Sequence, residues 1–319
     1  MKTTRLAKYF ASVTASLTLG SLLLPIPAFA WGREGHFYIN RAAAMALPSD
    51  VPVFLHSPES VNAIEYLGPE PDRWNLLGGS DLNDTLRPEH YILLDLADLA
   101  GPLPHKRLDY IRLLASYQLT HPQQAGDLTP EHVGLQPYSA MEVYERLEAA
   151  MRDYRRRLQT KEDTKPVELA ITFYAGWLGH YVGDGGNPMH TSINYNGWVQ
   201  VNPNGYTGTG HNVHGKLENI FLPANIKQSD VSASVTPAHP LTDVFTEYVA
   251  YLRQSHSLVE KTYQLEKSGG FDGKGTPESV QFTSERLSAA ASMLRDMIYT
   301  AWIKSANLYR PFFKRNRQE

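Results

Sequence analysis

The 319-residue chain carries 30 Lys and Arg against 33 Asp and Glu, with 12 His, no Cys and 42% hydrophobic residues. That hydrophobic content excludes a disordered chain. The slightly acidic balance excludes a broad Lys/Arg surface as the means of holding a phosphate-rich partner, and the absence of cysteine excludes disulfides and thiolate metal sites.

The chain opens with Lys2, Arg5 and Lys8, an apolar run over residues 9–26, and Ala28-Phe29-Ala30. A basic start, an apolar stretch and a small-x-small ending describe a secretory signal peptide. As a membrane anchor the run is short, and Pro25 and Pro27 interrupt it. The expectation is cleavage after Ala30, giving a secreted or periplasmic protein whose mature domain covers residues 31–319. Cleavage removes three positive charges and no acids, leaving 27 Lys and Arg against 33 Asp and Glu, a net charge of −6.

Taken in order, residues 36–47 read as an Ala-rich helix stopped by Leu47-Pro48, with a short segment capped by Ser49 and another helix opened by Ser57-Pro58. Residues 68–79 carry three Pro/Gly breaks and read as irregular, and 81–90 as a polar connector before the apolar run 91–96. A helix over 105–118 follows, then one opened by a Ser139/Glu142 capping box and running to about residue 159. Pro166 suits the first turn of a helix to about residue 182, apolar nearly all round and so expected to be buried. Residues 191–212 form a long loop rich in Gly, Asn and Tyr, followed by helices over 213–221, 241–264 and 277–308. With no repeat and no convincing hairpin, the expected fold is all-α: a single multi-helix domain.

The chemistry-bearing residues fall into pairs. His180 and Asp184 are four apart, as are His214 and Glu218, so each pair projects from one helical face. His190 follows the forced turn Gly185-Gly186-Asn187-Pro188. A buried imidazole–carboxylate pair needs no metal, but a bundle also presents metal ligands in this way, and a mostly apolar helix that buries such groups must satisfy them. His211 lies three residues before His214 and competes with it for the same role. Upstream, Asp81 and His90 flank the polar connector, with Asp84, Arg87 and Tyr91 beside them as candidate substrate contacts. Cleavage after Ala30 would expose Trp31, whose α-amine and carbonyl can chelate a metal, with His36 five residues on.

As a set, Trp-Gly-x-x-Gly-His, then Asp and His, then His-x3-Asp-x5-His, then His-x3-Glu resembles the trinuclear-zinc superfamily. That superfamily contains the bacterial zinc-dependent phospholipases C and the single-strand-specific nucleases of the mung-bean type. The resemblance runs from Trp31 to about Phe221. It implies three zinc ions in the helical core. Asp81, His90, His180 and Asp184 would hold one, and His190, His214 and Glu218 a second. Trp31, His36 and a bridging Asp184 would hold the third. Asp81 and Asp184 are the carboxylates it assigns to the catalytic centre. The implied chemistry is attack on phosphorus by a zinc-bridged hydroxide, with the surplus metal charge replacing the missing basic surface.

Substrate class stays divided. The Trp31–His36 spacing and the long stretch between His190 and His214 are more like the nucleases. Glu218, where nucleases usually have Asp, and the lack of cysteine are more like the phospholipases. Asn187-Pro188 stands where the family commonly has Gln-Pro. Tyr195, Trp198 and Tyr206 in the loop suit base stacking or a lipid interface. The expectation is an exported, monomeric zinc-dependent phosphodiester hydrolase with no obligate protein partner. Single-stranded nucleic acid is slightly favoured over phospholipid, and an inactive zinc-binding structural protein is the competing class.

Overall fold

In the computed structural model, residues 31–123 and 128–307 are described. The segment read as a signal peptide, 1–30, lies outside the described residues.

The elements, in order, begin with α1 (Gly32–Met45), a 3-10 turn (Val53–His56), α2 (Pro58–Leu67), α3 (Glu70–Leu77), α4 (Ser80–Leu86) and a second 3-10 turn (Arg87–His90). Next come α5 (Leu94–Ala100), α6 (Arg107–Thr120), α7 (Pro130–Val133), α8 (Gln136–Thr160), α9 (Lys165–Gly186) and a third 3-10 turn (Pro188–His190). The chain continues through α10 (Val213–Gly215), a π-helical turn (Lys216–Phe221), α11 (Leu222–Asn225), α12 (Gln228–Ser232), α13 (Val244–His256), α14 (Val259–Lys267) and α15 (Pro277–Lys304). Among the described residues there is no strand or sheet, only two isolated bridges in the loop, Tyr195 with Gly197 and Trp198 with Gly208. The fold is all-α, as expected. No helix of the described residues is long and apolar enough to cross a membrane.

The organising element is α9, against which α8, α15, α2 and α1 all pack. Its first half keeps one exposed side, where Leu169 is 74% exposed, whereas every residue from Leu178 to His190 is buried. One contiguous apolar core extends from Trp31 to Ala301, and a smaller one gathers Met189, Tyr206, Val213, Val259 and Tyr263.

Glycines in a helix interior cost about 1 kcal/mol each relative to Ala, yet α9 contains five. Three of them, at 176, 179 and 183, share one face and are filled by neighbours. A Cβ on Gly179 would stand 2.0 Å from Asn40 Oδ1, and one on Gly183 would stand 2.9 Å from His36 Nδ1. The bare backbone lets α1 approach closely. Asn40 then bridges three helices by donating to the carbonyls of Ile64 (2.8 Å) and Gly176 (2.9 Å).

The end of α9 is fixed by donors from elsewhere. Tyr248 donates to the Tyr181 carbonyl (3.0 Å), Tyr251 to the Val182 carbonyl (2.8 Å) and the Trp31 indole to the Gly183 carbonyl (2.7 Å). Backbone carbonyls near a helix terminus need such partners when buried.

Several local expectations are corrected. Residues 68–79 are not irregular, because Pro71 sits in the first turn of α3, where its missing N–H costs nothing. The connector 81–90 contains α4. Ser139 caps no helix: α8 begins at Gln136, and the Ser139 hydroxyl accepts from Arg107 (2.6 Å).

Candidate metal centre

Three groups of buried ligand-type side chains lie in the core: His36, His180 and Asp184; Asp72, His90 and His180; and His190, His214 and Glu218. Within each group the candidate ligand atoms all fall within 4.8 Å of one another. His180 belongs to the first two groups, which are therefore contiguous.

Each segment delivers its side chain for a local reason. In α9, the four-residue spacing stacks His180 and Asp184 on one face. The glycine face lets His36 of α1 stack on the His180 ring, with centroids 4.3 Å apart. The 3-10 turn ending at His90 is tied to α9 by the Tyr181 hydroxyl, which donates to Glu89 (2.7 Å). Beyond it the chain runs extended beside the His190 segment, with Ile92 N donating to the His190 carbonyl (3.0 Å) and Leu94 N to the Thr191 carbonyl (3.0 Å). The π-helical turn carries Glu218 beneath His214.

Contacts beyond the groups orient the imidazoles. His180 Nδ1 lies 3.0 Å from the Gly68 carbonyl and His190 Nδ1 lies 2.7 Å from the His90 carbonyl. A carbonyl only accepts, so both Nδ1 atoms carry hydrogen and both Nε2 atoms point bare lone pairs inward. Outer partners of metal-binding histidines act in this way. The inward atoms converge: His180 Nε2 is 2.9 Å from His90 Nδ1 and 3.4 Å from Asp184 Oδ2, and His214 Nε2 is 3.0 Å from His190 Nε2. Ligands on a tetrahedral zinc stand about 3.3 Å apart, so the spacing is close to what one ion requires.

The carboxylates are in an unusual state. Both oxygens of Asp184, Oδ2 of Asp72 and Oε2 of Glu218 are buried without a hydrogen-bond partner. Burial, reinforced by Glu218, holds Asp72 well above the usual carboxylate range. Burial, reinforced by Asp72 and Glu218, does the same to Asp184. Burial and neighbouring imidazoles push His180 well down and His90 down to about 3. For Glu218 burial acts upward, but the His214 and His190 rings outweigh it and bring the group down to about 2. A cation bound here would supply what the carboxylates lack, and neutral imidazoles are the ligating form.

Of the nine residues expected as ligands, His36, His90, His180, Asp184, His190, His214 and Glu218 enter these groups. Trp31 is fully buried, but its backbone nitrogen faces Glu218 Oε1 (2.8 Å), and its carbonyl accepts from Gly35 N (3.1 Å) as α1 begins. The Trp31 backbone therefore lies buried at the start of α1, the helix that carries His36.

Asp81 is not brought in, and the acid beside His90 and His180 is Asp72. Asp81 lies exposed on α4, a helix that turns only Leu86 inward, with Ser80 as its hydrogen-bond neighbour (3.5 Å). Asp72 is buried on α3, 3.8 Å from His90 and 3.9 Å from His180. An irregular reading of 68–79 hides it. The signal for it is Pro-Glu-Pro-Asp, a helix start with acids in its first turn.

His211 is exposed and outside the groups, as are Asp84 and Arg87. Tyr91 is half-buried and donates to the Glu131 carbonyl (2.7 Å); burial raises its hydroxyl pKa and the Arg87 charge opposes that. Of the loop aromatics, Trp198 and Tyr206 pack on Tyr263 with centroids 5.4 and 5.8 Å away, while Tyr195 remains 50% exposed. No protein-family model, curated protein or solved structure matches the chain.

Proposed function

We propose that the chain is an exported zinc-dependent phosphodiester hydrolase of the kind its resemblance to the trinuclear-zinc superfamily implies, acting on single-stranded nucleic acid. The observation that carries this reading is the convergence of three buried His/Asp/Glu groups in which Asp184 faces both His36 and the His90–His180 pair, with no hydrogen-bond donor on either oxygen.

Asp72, His90, His180 and Asp184 are the residues suited to one zinc, and His190, His214 and Glu218 to a second. His36 and the second oxygen of Asp184, near the buried start of α1, are suited to a third. Zinc, if held there, would supply Lewis acidity toward a phosphoryl group and lower the pKa of bound water. The protein's own part is to exclude water from the ligands and hold the imidazoles in one tautomer. Asp184 presents its two oxygens to different histidines, Oδ1 to His36 and Oδ2 to His90. Exposed Tyr195 and half-buried Tyr91, with Arg87 acting on Tyr91 electrostatically, are candidates to offer a stacking surface and a cation to a nucleotide.

A second reading, hydrolysis of phospholipids, is favoured by one observation. Leu76 and Leu77, at the end of the helix that carries Asp72, are 59% and 79% exposed, a feature suited to a lipid interface. Zinc-loaded protein offered single-stranded DNA, RNA and phosphatidylcholine vesicles separates the two. Nucleotide release is the expected result. Release of phosphocholine alone would transfer the activity to lipids, and no release from any of them would contradict both readings.

A further inference from the structure

Asn187 stands outside the three groups, yet its buried side chain touches two of the segments that form one of them. Its Oδ1 accepts from the backbone N–H of Met189 (3.0 Å), which caps the 3-10 turn that delivers His190. A peptide N–H can only donate, so the atom facing Met189 is the amide oxygen. The other end of the amide is then the NH2, and it donates to Glu218 Oε1. The orientation of the amide is thus fixed by its surroundings.

The same Oε1 also receives the backbone N–H of Trp31 (2.8 Å) and lies 2.7 Å from His214 Nε2. Oε2 has no donor and is buried. Two N–H donors therefore settle on one oxygen of the carboxylate and leave the other open. They also prevent the Glu218 side chain from swinging away from His190 Nε2, 3.6 Å from Oε1.

We propose that Asn187 is the positioning residue of the His190–His214–Glu218 group: one side chain sets both the turn that aims His190 and the rotation of the Glu218 carboxylate. This rests on reading that group as a metal centre. The residue does not touch the ion or substrate, and acts through the two ligands it holds. An Asn is suited to both tasks because its short side chain reaches Met189 N two residues on, as an Asx turn requires.

The test separates the two contacts. Asn187→Ser keeps an acceptor for Met189 N and is too short to reach Glu218. Zinc is titrated into the full chain from Trp31 onward while the imidazole nitrogens are followed by NMR. This reads His190 and His214 apart from His36, His90 and His180. The expected result is a 10- to 100-fold weaker zinc response at His190 and His214 in Asn187→Ser, with the other three unchanged and the circular dichroism of the metal-free protein unchanged. An equal response in wild type and variant would overturn the positioning role. The absence of any response at His190 and His214 in the wild type would overturn the metal reading beneath it.

A second measurement needs no variant. In the wild-type protein the Asn187 side-chain NH2 signal should shift in step with His190 and His214 as zinc is added, and a signal that stays fixed would also overturn the proposal.

Discussion

Asp184 divides its carboxylate between two sets of histidines. Oδ1 lies 3.3 Å from His36 Nε2, while Oδ2 lies 3.2 Å from His90 Nδ1 and 3.4 Å from His180 Nε2. Neither oxygen is hydrogen-bonded. If the proposed centres are occupied, a carboxylate in this position would serve two of them, so its loss should disturb both. Asp184→Asn is expected to release more than one zinc per molecule, read by elemental analysis of the purified protein. Loss of one ion or none would contradict a bridging role.

Asp72 and Asp81 provide a sharper contrast, since both are acids upstream of His90 and only one faces it. Asp72→Asn should remove a zinc equivalent and lower kcat by more than about 100-fold, the scale of losing a charged group that stabilises the transition state. Asp81→Asn, on an exposed helix face, should leave both quantities within about twofold of wild type. The reverse pattern would restore Asp81 to the centre.

The close approach of α1 to α9 can be tested through Gly179. Alanine is the better helix former by about 1 kcal/mol, but its Cβ would stand 2.0 Å from Asn40 Oδ1. Asn40 is held by two carbonyls and has little room to move. Overpacking should win, with Gly179→Ala destabilising the protein by about 1–3 kcal/mol in urea unfolding. Gly208→Ala, where nothing lies within 4 Å, should change stability by less than about 0.5 kcal/mol. Equal stability of the two variants would show that the helices are not in contact there.

How far the site is legible in the sequence depends on which feature carries each residue. Helical spacing is a property of the sequence itself, so His180 with Asp184 and His214 with Glu218 can be paired from their numbers alone. The Gly-Gly-Asn-Pro turn points to His190, and the motif set points to His36 and His90. Asp72 escapes because a proline marks either a break or a helix start, and Pro71 is the second kind. Asn187 stands out in the sequence only as a departure from a motif, because its two bonds join segments 31 residues apart. The all-α fold follows from apolar periodicity. The approach of α1 to α9 does not, since a glycine face gains meaning only once its neighbour is known. Trp198 and Tyr206 read in sequence as loop aromatics free to meet a substrate, yet they close over Tyr263 in a small second core.

Protonation gives a prediction with a definite sign. Without a cation, burial and neighbouring acids raise Asp72 and Asp184 well above the usual carboxylate range, so each holds a proton that its unperturbed form would have released. The ligating form is ionised, so zinc uptake releases those protons and affinity rises with pH until the raised values are passed. Burial first, then neighbouring imidazoles, lowers His90 and His180, and burial lowers His190 against the upward pull of Glu218, so these imidazoles have no proton to give near neutral pH. Calorimetric titration in two buffers of different ionisation enthalpy counts the protons. A positive count should coincide with loss of a protonated-carboxyl infrared band. A zero count, or a release that follows an ordinary histidine pKa of about 6.5, would contradict the assignment.

The most direct test of a zinc-dependent phosphodiester hydrolase is turnover of bis-p-nitrophenyl phosphate by the chain from Trp31 onward, measured zinc-loaded, after chelation and after zinc is restored. The expected result is turnover that disappears with the chelator and returns with zinc. Zinc-loaded, folded protein with no chelator-sensitive turnover would contradict it.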